Sequence, residues 1–176
     1  MFALHARYRG RATRRADLVS RSAQALSTLD GVGTFESLGV EDIRAEISTP
    51  EALCNVVMAL LSDGDWAIGL GLGTQALDEA TGSLSRAARP GTVSVGAHPQ
   101  AGDIAAVFAL LGQVLAKRTV EGREATALVR GGLSQNEAAA ELGISKQAMS
   151  QRLQAAGWQA ENAGWQLAVN LLRRAS

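Results

Sequence analysis

Hydrophobic and polar positions change period several times along the chain, and each change predicts an element. Phe2–Tyr8 alternates loosely, as a strand does, and ends in the basic run RYRGRATRR. From Arg14 to Leu29, the residues Ala16, Leu18, Val19, Ala23, Leu26 and Leu29 fall near helical spacing, and Asp30-Gly31 with Gly33 stops the run. Thr34–Leu38 and Asp42–Ile47 predict two strands or one long irregular strand. Thr49-Pro50-Glu51 opens a helix to about Leu61, with Thr49 as cap and Pro50 at its first position. Trp66–Gly73 alternates again as a strand; a short helix over Ser83–Ala88 and a strand over Thr92–Val95 follow. Asp103 is expected to cap an amphipathic helix through Lys117 that turns Ile104, Val107, Phe108, Leu111, Val114 and Leu115 inward. The order βαββαβ with extras predicts a split βαβ unit of ferredoxin-like type.

Beyond Thr119 only helical periods remain. Val120–Arg130 reads as a helix stopped by Gly131-Gly132, and a last helix is expected over about Gln159–Arg174. Its apolar side would be Trp158, Trp165, Ala168, Leu171 and Leu172, which either folds back on the helix from Val120 or meets a second copy. A short wing hairpin at Asn162–Gly164 is the alternative to a continuous last helix.

Between these lies Leu133–Trp158, which has the pattern of a helix-turn-helix. Ser134 and Glu137 form a capping box, Ala138, Ala139 and Leu142 share a face, and Gly143 supplies the turn. Ile144 plugs the angle between the helices, and Ser145 caps the second helix, whose buried side would be Ala148, Met149 and Leu153. The outward side of that helix carries Lys146, Gln147, Ser150, Gln151, Arg152 and Gln154, with no acid. Long amides and cations can reach base edges and phosphates. A helical hairpin with a merely solvated polar face is the plainer alternative.

Composition narrows the picture. Apolar residues make up 47% and aromatics only 4%, so the cores are built from Ala, Leu and Val. No apolar run reaches the ~18 residues of a membrane span and no charged-then-apolar leader is present, which predicts a cytoplasmic protein. Cys54, the single cysteine, stands in an apolar setting and predicts an inert thiol. His5 and His98 are far apart, so no metal-ligand spacing exists and no cofactor is implied.

The formal net charge is zero, unusual for a DNA binder, but it is unevenly spread. Residues 117–176 hold eight Lys/Arg against five Asp/Glu, and residues 1–25 hold six Arg against Asp17. Residues 26–116 hold three basic residues and eleven acidic ones. A basic C-terminal module thus joins an acidic body with an arginine-rich edge. Arg7, Arg9, Arg11, Arg14 and Arg15 either contact phosphate or form a solvated corner that balances the acids. The run Gly69-Leu70-Gly71-Leu72-Gly73-Thr74 invites a phosphate-loop reading, but its glycines alternate inside a strand, so a helix packed closely across the sheet explains them better. Glu41, Asp42 and Glu46 are either metal ligands or a solvated acidic loop. No Ser/His/Asp or Cys/His arrangement is available for nucleophilic catalysis.

Leu110–Trp158 resembles the C-terminal half of SatD-family proteins and, more loosely, the helix-turn-helix of sigma-factor region 4 and LuxR-type regulators. Upstream, RATRRADLVSRSAQAL is similar to that family's arginine-containing first helix and WAIGLGLG to its glycine-rich strand. The resemblance implies a ferredoxin-like domain, distantly similar to nucleotide cyclase cores, fused to a helix-turn-helix. The family's first strand ends in Gly-Asp and a later turn carries Gly-Asp-Glu-Phe. Here those stretches are Ala6–Gly10 and Gly39–Glu46, where arginines replace the first acid and only Glu41-Asp42 remains of the second motif. A cyclase-like site needs paired carboxylates to hold Mg²⁺ on phosphates, so the domain is degenerate and the chain is expected not to be an enzyme.

The expected fold is α+β: a degenerate cyclase-like, ferredoxin-like domain over 1–102, a connecting helix over 103–118 and an all-α helix-turn-helix domain over 119–176. The expected function is sequence-specific binding of double-stranded DNA, as a transcriptional regulator reading the major groove with helix 145–156. Lys146, Gln147, Ser150 and Gln151 would meet bases with Ser145 at the helix start, and Gln135, Asn136, Arg152 and Arg123 would meet phosphates. A homodimer is expected, since one half-site spans only ~5 base pairs, and a small-molecule or nucleotide effector is possible. The alternatives are a nucleotide-binding sensor or enzyme and a protein-interaction adaptor.

Overall fold

The alternation in Phe2–Tyr8 becomes strand β1, the middle of a five-stranded sheet. The computed structural model describes residues 1–176 and continues with α1 (Arg15–Leu26), β2 (Glu36–Ser37), β3 (Asp42–Ile47), α2 (Pro50–Asp63), β4 (Trp66–Leu72), α3 (Ala76–Ser83) and β5 (Val93–Val95). The helices α4 (Ala101–Ala116), α5 (Val120–Arg130), α6 (Gln135–Glu141), α7 (Lys146–Ala155) and α8 (Trp158–Arg174) complete it. The sheet order is β2-β3-β1-β4-β5. Its first four strands are antiparallel neighbours, and β5 is added parallel to β4. An antiparallel 2-3-1-4 order is that of the split βαβ unit, so the fold is α+β with a ferredoxin-like core followed by helices.

Register puts apolar rows across the sheet: Leu4 faces Ala45 on one side and Leu70 on the other, and Ala6 faces Ile43 and Ile68. Because side chains alternate, these residues, with Phe2, Tyr8, Trp66 and Ile47, all point to one face. There they meet Val19 and Ala23 of α1, Leu53, Val57 and Leu60 of α2, and Ile104, Phe108 and Leu111 of α4. Each of the leucine, isoleucine, valine and phenylalanine side chains among them contributes roughly 1.5–3 kcal/mol by leaving water. Thr49 caps α2, accepting the Ala52 N–H at 3.2 Å, and Pro50 occupies its first position. Cys54 lies inside this core, where burial pushes its thiol up to about 12, leaving it protonated and unreactive.

On the opposite face Ala3, Gly69 and Gly71 receive α3 through Ala76 and Ala80. A Cβ on Gly71 would stand 1.8 Å from the Ala76 carbonyl oxygen, and one on Gly69 2.3 Å from that of Ala80. The alternating glycines therefore serve close packing, as their placement within a strand suggests, and no phosphate loop forms there.

The structure corrects several element boundaries. The short helix expected at Ser83–Ala88 lies instead at Ala76–Ser83. Its buried residues are only alanines, because the glycines opposite leave no room for a larger stripe, so helical periodicity was faint. The expected strand Thr34–Leu38 pairs only through Glu36 and Ser37. Helix α1 ends at Leu26, where the Ser27 hydroxyl accepts the Phe35 N–H at 2.9 Å and draws the chain out of the helix. Asp103 sits in the first turn of α4 rather than at its cap; Gln100 takes that place, its N–H donated to His98 Nδ1 at 3.1 Å. No hairpin breaks α8, which is continuous. Its Ala168, Val169 and Leu172 pack into the core of the sheet domain, against α4 and α2 rather than α5.

Replacing Gly71 by Val should lower folding stability by about 3 kcal/mol or more, the upper end for overpacking, because the obstruction is helix backbone and cannot rotate away. Gly82→Ala, within the same helix and with open space around it, should instead raise stability by roughly 0.5–1 kcal/mol. Urea unfolding followed by circular dichroism measures both, and equal midpoints for Gly71→Val and the parent protein would refute the close approach.

Candidate nucleic-acid interface

The three helices that carry the candidate site each begin on a side-chain cap. Thr119 Oγ1 accepts the Gly122 N–H at 3.2 Å to start α5, and Ser145 Oγ accepts the Ala148 N–H at 3.1 Å to start α7. At α6 the capping box is complete: Ser134 Oγ accepts the Glu137 N–H at 3.2 Å, and Glu137 returns a bond to the Ser134 N–H at 2.7 Å. That backbone N–H, together with the Ser134 hydroxyl, holds the Glu137 carboxyl below its ordinary value. A depressed carboxylate stabilises the fold above the ordinary glutamate range, and this contribution is lost as pH falls through the folded value.

Between α6 and α7 the chain turns through Gly143 at φ +64°. The Ile144 N–H reaches the Ala139 carbonyl at 3.0 Å and the Gly143 N–H the Ala140 carbonyl at 3.1 Å, the pair of bonds that closes a Schellman motif. Ile144 is thereby placed against the small core of Ala125, Ala138, Ala139, Met149 and Leu153. The two caps, the turn at Gly143 and the placement of Ile144 are those expected from the sequence.

With Met149 and Leu153 buried, the other side of α7 is open. Lys146, Gln147, Ser150, Gln151 and Gln154 are all exposed, at spacings that put them on one helical face, and α7 has no acidic residue. Gln135 and Asn136 are exposed in the first turn of α6, and Gln135 shares an open cleft with Ser150 and Gln154. Ser145 is engaged as the cap. Arg152 is half-buried beside Glu121, whose carboxyl is held below its ordinary value by its own backbone N–H, by Thr119 and by the Arg152 charge. Arg123 does not join this group. Its Nη1 donates to the Ser62 carbonyl at 3.1 Å, in a cleft between α2 and the helical module.

One polar cluster had no signal in the linear pattern. Arg118, at the end of α4, is buried and donates Nε to the Ala156 carbonyl at 3.0 Å and Nη2 to Glu161 at 2.7 Å. The other oxygen of Glu161 accepts from Arg130, whose guanidinium lies 5.5 Å from the Trp158 ring centroid. Arg118 and Glu161 are 43 residues apart, so neither spacing nor motif pairs them. Together they tie α4, α5, α7 and α8 at one point.

In the sheet domain Asp42 and Glu41 are engaged by cations. Asp42 accepts from Arg7 Nε at 2.6 Å and lies 2.8 Å from His5 Nε2, while Glu41 faces Arg9 and Arg15. Glu46 is exposed on β3, and nowhere do three His, Cys, Asp or Glu residues gather as metal ligands would.

No family model matches the chain, and no curated protein matches it. The resemblance to SatD-family proteins rests on its motifs alone. Among solved structures the chain is similar to a regulator of polyketide synthase expression from Bifidobacterium adolescentis. Identity is 17% over 98% of this chain and 85% of that one, and the TM-score of 0.26 is too low to carry an argument. No helix is long and apolar enough to cross a membrane.

Glu161→Ala should destabilise the protein by about 3–5 kcal/mol, since it leaves the Arg118 guanidinium buried without its counter-charge. Glu161→Gln, which keeps one acceptor oxygen, should lose less. Thermal and urea unfolding measure both, and a loss below about 1 kcal/mol for the alanine variant would show that the cluster does not hold the module.

Proposed function

We propose that this protein binds double-stranded DNA sequence-specifically and acts as a transcriptional regulator, reading the major groove with α7. The observation that carries the proposal is the exposed, acid-free face of Lys146, Gln147, Ser150 and Gln151 on the second helix of a doubly capped helix-turn-helix. Gln147 and Gln151 are one turn apart, and a glutamine amide can both donate to and accept from an adenine edge. Lys146 suits a guanine edge or a phosphate, Gln135 and Asn136 suit phosphates beside the groove, and Arg152 adds a cation at its rim. Arg123 contacts phosphate only if it exchanges its bond to Ser62.

The sheet domain serves as the body that carries the reading module, and a homodimer of the whole chain would supply the second half-site that useful specificity requires. Catalysis by the sheet domain is disfavoured because Glu41 and Asp42 are matched with arginines, which compete with Mg²⁺ for the same carboxylates. The same pairing argues for a domain that is scaffold or sensor, with any effector of small-molecule or nucleotide type still to be identified.

Selection of bound duplexes from a random pool gives a target sequence for the test. The double variant Gln147→Ala/Gln151→Ala should lose about 1–3 kcal/mol of preference for that sequence per contact removed, while its affinity for scrambled duplex stays the same. A variant that keeps the parent's preference would overturn the assignment of α7.

A further inference from the structure

We propose that the arginine-rich corner at the C-terminal end of β1 is a second contact surface for double-stranded DNA, gripping the phosphate backbone beside the site read by α7. The proposal rests on the DNA-binding function proposed for the helical module and adds to it a surface on the sheet domain.

Three segments meet at this corner: residues 9–15 after β1, residues 84–91 before β5, and the turn before β3. Arg7 Nη1 donates to the Ser85 carbonyl at 3.3 Å and Arg9 Nη2 to that of Arg86, while the Tyr8 N–H donates to the backbone carbonyl of Glu41 and the Arg9 N–H to that of Asp65. The acids present do not balance the cations. Asp42 is matched by Arg7, Glu41 by Arg9 and Arg15, and Asp17 by Arg14 at the exposed start of α1. Asp65 accepts from the Tyr8 hydroxyl at 3.4 Å. Arg11, Arg86 and Arg89, carried on the first two of these segments, are exposed and have no carboxylate within ion-pair distance.

Two further observations separate this corner from an ordinary solvated edge. Residues 26–116 contain only three basic residues among eleven acidic ones, and two of those three, Arg86 and Arg89, stand here. At its centre Arg9 Nε is buried with no acceptor, so donors exceed the acceptors the protein supplies. Surplus guanidinium donors suit phosphate, which takes up paired N–H groups in the geometry an arginine presents.

The corner lies at the end of the sheet where the helical module is attached. Trp66 opens β4 beside it, and its carbonyl accepts the Gly91 N–H at 2.8 Å. Just before β4, the Ser62 carbonyl accepts Arg123 from α5. A duplex carries a phosphate charge every ~1.7 Å along its axis, so one that extends past the ~5 base pairs under α7 meets further charge to be neutralised.

The test is the salt dependence of binding by the full-length triple variant Arg11→Ala/Arg86→Ala/Arg89→Ala, on the selected and the scrambled duplex, by fluorescence anisotropy. Loss of three phosphate contacts should reduce the slope of log affinity against log salt by about 2.7, equally on both duplexes, with the preference between them unchanged. If the triple variant fails to fold, the single variants Arg11→Ala and Arg89→Ala carry the test, each expected to remove about 0.9 from the slope. An unchanged slope would overturn the second surface while leaving the reading by α7 intact. A parent protein with no affinity for any duplex would overturn both.

Discussion

Glu161 sets the terms on which the two parts of the molecule are joined. Its carboxylate is buried at the start of α8, between Arg118 at the end of α4 and Arg130 at the end of α5. A buried charge is tolerated only when paired and hydrogen-bonded, so these helices must converge in one arrangement to satisfy it. Arg118 also binds the Ala156 carbonyl, which brings the end of α7 to the same point. The orientation of the candidate reading helix is therefore fixed by an electrostatic constraint, while its internal shape is fixed by caps and a small apolar core. A second tie comes from α8, whose Ala168, Val169 and Leu172 belong to the core of the sheet domain. The module is thus held to the body by both ends of its chain, at Arg118 and along α8.

The two faces of the sheet are used differently, and this bears on function. One face takes large apolar side chains from α1, α2, α4 and α8. The other receives α3 so closely that two positions of β4, Gly69 and Gly71, must be glycine, and beside it lies the His5–Asp42–Arg7 cluster. Carboxylates that hold a metal must be free to do so, and here Arg7, Arg9 and Arg15 engage Asp42 and Glu41. Beside these pairs stand other arginines, Arg11, Arg86 and Arg89, that are exposed and have no carboxylate partner.

What was legible in the sequence is local. Ser134, Glu137, Gly143 and Ser145 act within a few residues of themselves, through hydrogen bonds whose partners are set by helix geometry, so α6, the turn and α7 could be laid out residue by residue. The alternation of β1 and β4 and the capped start of α2 are of the same kind. Where α1 and α3 departed from expectation, the cause was a partner outside the helix itself. Ser27 ended α1 by binding Phe35, and α3 was hidden because its stripe of alanines is defined by the glycines it faces.

The sequence by itself determined the element types, the sheet class and which face of α7 would be free of acids, because these follow from the periodicity of the chain and from short-range caps. Only the tertiary structure decided that α8 packs on α4 and α2, that Arg123 turns toward Ser62 and that Glu161 pairs with two arginines. It also decided that the end of β1 meets the segment before β5, through the bonds of Arg7 and Arg9 to the Ser85 and Arg86 carbonyls. The physical reason is common to all of these: an apolar stripe or a charge states that it needs a partner, but which partner it meets depends on how elements far apart in the chain come together.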